Sequence, residues 1–251
     1  MQPPSDPATL RSFLAQPFTL LGRGAKVKVY GSADGRVVLK RPVRPEELAA
    51  WFAEDGRPLL STGWVADAAD ELAAARVLLA RTESSYRLAA ARLAEETGLI
   101  ALHLDPTRDL RLSLAVDGRT LDADRESFIL QWRARPLRAC IDASVNAGDT
   151  REAERMLDDL IALTLGLWAK GVVDDTANFH TNYGTVGARL ILFDIGELIE
   201  SAERVRAERA APKLLRKKGM AWLERRHPDL ARYFLSGLRR AIADDAQIEA
   251  Q

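Results

Sequence analysis

Residues 171–197 read GVVDDTANFHTNYGTVGARLILFDIGE. Asp174, Asp175, Asn182 and Asp194 place hard oxygen donors in this one stretch, the donor type that Mg2+ selects. Leu190–Phe193 is a short apolar run that reads as a buried strand, and Asp194 follows it directly, ahead of the small unit Ile195-Gly196. A carboxylate at a strand's end beside a glycine is poised for an ion or ligand and not for the core. The remainder, Val172–Gly184, is expected as a loop. Within it Asp174, Asp175 and Asn178 are also the types that turns and helix ends favour.

Working outward, Glu152–Lys170 sets Met156, Leu157, Leu160, Ile161, Leu163, Leu167 and Trp168 on one helical stripe that ends at Gly171. The stretch from about 201 to 246 is expected to be helical and charged, interrupted by Pro212, Gly219 and Pro228. Its basic stretch Lys213–Lys218 and Arg225-Arg226 reads as a solvated helix face balanced by Glu203, Glu208 and Glu224, or as a face for a phosphorylated or acidic partner. Toward the N-terminus, strands are expected at Leu99–Leu104, Leu110–Val116 and Phe128–Arg133, with Asp117-Gly118 as the hairpin turn between the last two. A helical pattern from about 67 to 97 is expected to split near Thr82–Ser85, with Gly98 as its C-terminal cap. Residues 17–41, PFTLLGRGAKVKVYGSADGRVVLKR, read as strand, glycine turn, strand, Asp-Gly turn, strand. The order is a strand-rich α+β half and then a helical half, joined near 134–150.

Gly22-Arg23-Gly24 lets the backbone approach phosphate oxygens without a Cβ in the way, or serves only as a hairpin turn. A strand follows it where a dinucleotide-binding loop would open a helix. Lys40 ends the apolar run Val37-Val38-Leu39, where a lysine needs an anionic partner unless it snorkels beside Arg41. Trp51 and Trp64 belong to the stretch after Lys40.

Composition removes other classes. The 36 basic residues balance 36 acidic ones, so no global field recruits nucleic acid or an anionic membrane. The single cysteine, Cys140, excludes an internal disulfide framework and a cysteine zinc site, and reads as a small buried apolar residue. His103, His180 and His227 lack metal-ligand spacing, and His180 is expected to hydrogen-bond in its turn. The polar N-terminus is no signal peptide and no apolar run spans a membrane, so a cytoplasmic protein is expected.

Taken in order, the glycine loop, strand lysine, helical glutamate, linking strand, long helix, Asp/Asn loop and Asp-x-Gly resemble the protein-kinase-like fold in its small, divergent bacterial form. The resemblance spans roughly residues 18–200 and is carried by GRGAKVKVY, VVLK and NYGTVGARLILFDIGE. It implies an α+β, bilobal chain: a leader over 1–16, a strand-rich N-lobe over 17–133 and a reduced helical C-lobe over 134–251. It implies ATP and Mg2+ as cofactors. Gly22 and Gly24 match the first two loop glycines, Val27 stands at the third, and Val29 matches the valine that caps adenine. Lys40 matches the phosphate-holding lysine, with Glu71 as its first-choice helical partner and Glu83 as the second. Phe128–Arg133 resembles the inter-lobe hinge, so that Gln131 and Arg133 would meet an adenine edge. Asn182 and Asp194 match the magnesium ligands. The family's His-x-Asp-x-x-x-x-Asn pattern would put the base at Ala177, so Asp175 or Asp174 must act from a longer loop. The implied function is an ATP/Mg-dependent phosphotransferase whose acceptor, small molecule or protein, is open. The alternative is a pseudokinase that binds nucleotide or a protein partner without transfer.

Overall fold

Tight turns build the first part of the chain. Gly24 N–H donates to Val27 O (2.8 Å) and closes the turn between Phe18–Arg23 (β1) and Val27–Ser32 (β2). Gly35, in the left-handed region at φ +70°, closes the next turn and leads into Val37–Pro42 (β3). Gly22 lies inside β1 and not in the turn, opposite Val29, just past a register shift that leaves Leu21 as a bulge.

The structure, a computed structural model, describes residues 7–54 and 68–249 and divides into two compact units, Met1–Arg133 and Ala134–Gln251. Trp64 lies outside the described residues. Part of the stretch read as a leader, Pro7–Leu14 (α1), is a helix that buries Phe13 and Leu14. The first unit continues with Pro45–Glu54 (α2), Ala68–Arg92 (α3), Ala94–Thr97 (α4), Leu99–His103 (β4), Ser113–Val116 (β5), Arg119–Asp122 (β6) and Phe128–Trp132 (β7). Its sheet runs β4-β7-β3-β2-β1-β5-β6, antiparallel except where Phe18 meets Val116. Tyr30, Val37, Leu39, Phe128 and Leu130 line one face and pack with Phe13, Leu14 and Leu114 as the unit's main core.

Two expectations are corrected here. No turn splits α3 at Thr82–Ser85. Thr82 Oγ1 donates back to Leu78 O (3.0 Å) and Ser84 Oγ to Ala80 O (3.0 Å), so the polar side chains are satisfied on the helix itself and it runs on to Arg92. The Asp117-Gly118 turn, with both φ positive, joins β5 to the short strand β6, and β7 is inserted between β4 and β3. β6 is mostly exposed, so it gave no apolar signal.

The second unit contains Arg135–Pro136 (β8), Leu137–Asn146 (α5), Thr150–Ala169 (α6), Val172–Asp174 (β9), Phe179–Asn182 (α7), Tyr183–Val186 (β10), Arg189–Leu192 (β11), Leu198–Glu200 (β12), Ala202–Ala210 (α8), Lys218–Arg226 (α9) and Pro228–Glu249 (α10). The α6 stripe buries Leu157, Leu160, Leu167 and Trp168, and α6 packs on α10. The expected loop 172–184 is in fact a strand, a helical turn and a second strand: β9 pairs with β12 and β10 with β11 and β8. Gly219 does not interrupt a helix. It sits inside α9, where a Cβ would meet the Phe179 ring at 2.8 Å.

The chain is therefore α+β. No helix among the described residues is long and apolar enough to cross a membrane.

Candidate functional site

In the first unit, register alone gathers the expected residues. Gly22 stands opposite Val29, Val29 opposite Lys40, and Lys40 opposite Ile129, one row across β1, β2, β3 and β7. The neighbouring row is Gly31, Val38, Gln131 and Leu99. Directly opposed side chains share a face, so Val29, Lys40 and Gln131 lie on the face opposite the main core. Lys40 is buried there, at 8% exposure.

A Cβ at Gly22 would meet no atom within 4 Å, and one at Gly24 only ordinary contact with Val27 at 3.7 Å. Neither glycine has a positive φ. Packing and backbone conformation thus leave both positions open to other residues.

The other first-unit residues are placed as follows. Glu71 is half-buried in the first turn of α3. Glu83, on the same helix, pairs with Arg87 (2.7 Å) at a half-exposed site, which commits it to that cation. Gln131 is fully buried, and its Nε2 donates to Thr97 O (2.5 Å) while Oε1 has no partner. The N–H groups of Trp132 and Arg133 donate to Gly98 O (2.9 Å) and Arg36 O (3.0 Å). Those donors are therefore spent inside the unit.

In the second unit a side-chain network gathers the donors. Asp174 ends β9, buried, and its Oδ1 accepts from Thr176 N–H (3.0 Å) and Thr176 Oγ1–H (2.6 Å). Asn182 Nδ2 donates to the same Thr176 oxygen (2.7 Å), and Thr181 donates to Asn182 Oδ1 (2.9 Å). The carbonyl of Asn182 accepts from Phe193 N–H (2.9 Å) and Asp194 N–H (3.2 Å). Asp174, Asn182 and Asp194 are so brought together by Thr176 and one peptide carbonyl. Asp194 itself is exposed.

The adjacent carboxylates have opposite surroundings. Burial pushes Asp174 up to about 6, and the nearby Asp194 charge adds to this against the Thr176 bonds. Among the described residues its Oδ2 receives no hydrogen bond of ordinary geometry. The fully buried Tyr183 phenol is held well above its ordinary value, by burial first and then by the charge and hydrogen bonding of Asp174. A cavity of about 20 Å3 beside Asp174, Tyr183, Thr164 and Glu208 has room for one water. Asp175 instead faces the C-terminal segment. Lys213 Nζ donates to its carboxylate (2.7 Å) and to its carbonyl, and Arg204 adds a contact at 3.2 Å. The Lys213 bond holds Asp175 below the usual carboxylate range.

Ala177, where the resemblance would put a base, is buried at φ +50°. His180 does not act as a turn hydrogen-bonder: its ring stacks on Trp222 (centroids 6.3 Å apart) and its buried Nδ1 has no partner. Lys213 is likewise no solvated residue of a helix face. Sequence reasoning passed over Thr176, although Asp-x-Thr is the pattern of a side chain capping its own backbone two residues on. It placed Lys213 on a solvated face and missed its pairing with Asp175, because nothing local links residues that far apart.

No protein-family model and no curated protein matches the chain. Among solved structures it is similar to Rv3197 in complex with erythromycin from Mycobacterium tuberculosis, at 18% identity and a TM-score of 0.38, with 85% of this chain and 60% of that one covered. The chain thus spans about 60% of the length of that structure.

Proposed function

We propose that the protein is an ATP- and Mg2+-dependent phosphotransferase of the protein-kinase-like fold, bilobal in architecture, acting on an acceptor hydroxyl. The observation that carries the reading is the Asp174–Thr176–Asn182 network with Asp194 tied to the Asn182 carbonyl. It joins one buried carboxylate with a raised pKa to an exposed one. Divided chemistry of this kind suits a base beside a metal-binding residue.

Asp194 and Asn182 Oδ1 are hard oxygen donors, and Mg2+ is commonly held by one or two such groups together with substrate phosphates. Magnesium there would neutralise charge on the phosphate oxygens. Lys40 would hold the α/β-phosphates, oriented by Glu71. Gly22 and Gly24, which the fold itself does not require to be glycine, would let backbone N–H groups approach them. Val29, on the Lys40 face, would cover the base.

Asp174 replaces Asp175 as the proposed proton acceptor. Asp175 is held by two cations and is the weaker base. As the acceptor oxygen bonded to the γ-phosphorus, its proton would pass to Asp174 by way of the one water that the adjoining cavity can hold, and ADP would leave with the electrons of the broken P–O bond. Positioning and electrostatics then supply most of the rate.

One observation favours the second reading, a nucleotide-binding module without transfer: the buried, left-handed Ala177 at the family's base position. ATP consumption separates the two. Turnover should require Mg2+ and fall to the level of a Lys40→Ala control in Asp174→Asn and Asp194→Ala. Binding of nucleotide with no turnover in the wild type would establish the module instead.

A further inference from the structure

The face of the first-unit sheet opposite Lys40 carries more positive charge than its neighbouring carboxylates pair off. Arg23, Lys28 and Arg41 stand directly across from one another on β1, β2 and β3, three cations in one row. Like charges so placed destabilise a sheet. Arg44 and Arg119 join them around a concavity of about 620 Å3. Tyr30, Val116, Leu121 and Leu20, the last 47% exposed, also line it.

Local carboxylates answer only part of this charge. Lys28 pairs with Glu47 (2.5 Å) and Arg41 with Glu126. Among the described residues no ion pair within 4 Å joins Arg23, Arg44 or Arg119 to a carboxylate, although the Glu47 charge also acts on Arg23 and Arg44 from further off; the Arg23 guanidinium lies over the Trp51 ring at 5.2 Å. Asp117, at the same rim, accepts the Leu20 N–H (2.9 Å).

We propose that this concavity binds a small, multiply phosphorylated ligand with an apolar or planar body, at a site separate from the Lys40 face. The volume lies in the range of small-molecule sites, roughly 300–1,000 Å3. All its cations but Lys28 are arginines, whose planar fork matches phosphate oxygens in pairs. Adjacent strands lie about 4.8 Å apart, so these side chains leave the sheet side by side and two of them can converge on one phosphate. The ligand's body lies against Tyr30, Val116, Leu121 and Leu20. An extended acidic peptide is disfavoured, because Asp117 already occupies the Leu20 backbone donor with which such a strand would pair.

Calorimetric titration of the full chain with inorganic tripolyphosphate, in the absence of divalent cations, tests this. Wild type should bind, and Lys40→Met should keep the binding that the arginines supply, while Arg23→Gln/Arg119→Gln should weaken that binding at least tenfold. Arg44→Gln, at an exposed position, gives a second reading if the double variant folds poorly. Binding that survives the arginine changes but is lost in Lys40→Met would overturn the proposal and place the phosphates on the glycine–lysine face. It would also fall if wild type bound an oligoglutamate peptide and not tripolyphosphate, or bound neither. None of these outcomes depends on phosphotransfer, so the proposal stands or falls apart from the function proposed above.

Discussion

The two units hold their candidate residues by different means. In the first, Gly22, Val29 and Lys40 share a row because strand register puts them there, and backbone ladders keep the row whatever the side chains are. In the second, Asp174, Asn182 and Asp194 depend on Thr176 and on one loop carbonyl, so each position rests on the others. A row in a sheet survives the loss of one side chain. A network of this kind couples its members, and its parts fail together.

The contrast can be broken first at Gly184, which follows Asn182 into β10. A Cβ there would collide with the Arg135 carbonyl of β8, which is backbone and cannot swing away. Gly184→Ala is expected to cost about 3 kcal/mol in a urea titration. An unchanged midpoint would show that the loop's support is softer than described.

The next effect is a pH dependence. Asp174 binds its proton more tightly folded, near pH 6, than unfolded, near 4. This contribution is fully present below about pH 4 and is lost as pH rises through 6. Relative to wild type, Asp174→Asn should therefore gain on the order of 2–3 kcal/mol between pH 4 and pH 7.5. Parallel stability curves for the two proteins would show that Asp174 is not buried as a carboxylate.

Thr176→Val follows, at about 2 kcal/mol, because it strips a buried carboxylate and a buried amide of one partner each. It should also move the Asp174 titration upward, since the Thr176 bonds pull it down. The smallest effect sharpens the comparison from the other side. Gly22→Ala should leave stability within about 0.5 kcal/mol, because its Cβ meets nothing. Any loss of nucleotide binding in that variant then reports on the ligand and not on the fold.

The same division governs what could be read without coordinates. The strands β1 to β3 were visible because alternation and the two turns are local, and these fix the row from Gly22 to Lys40. The α6 stripe was visible for the same reason. The pairing of β9 with β12 was not, because three residues at Val172–Asp174 gain their partners from Leu198–Glu200. The donor set at Asp174, Asn182 and Asp194 was legible as residue types and order. Its internal geometry was not: two adjacent aspartates look equal in a sequence, and only Lys213 on one and burial on the other make them different acids. The helical reading failed at Thr82–Ser85 for a related reason, since tertiary burial overrode residues that favour turns.

The most direct test of the central claim is thermal unfolding of wild type and Asp194→Ala with ATP, with and without Mg2+. Nucleotide at a hundred times its dissociation constant adds about 2.7 kcal/mol of stability. The account predicts a shift in the wild type that needs Mg2+ and disappears in Asp194→Ala. A shift of equal size in both proteins, or none with any nucleotide, would contradict it.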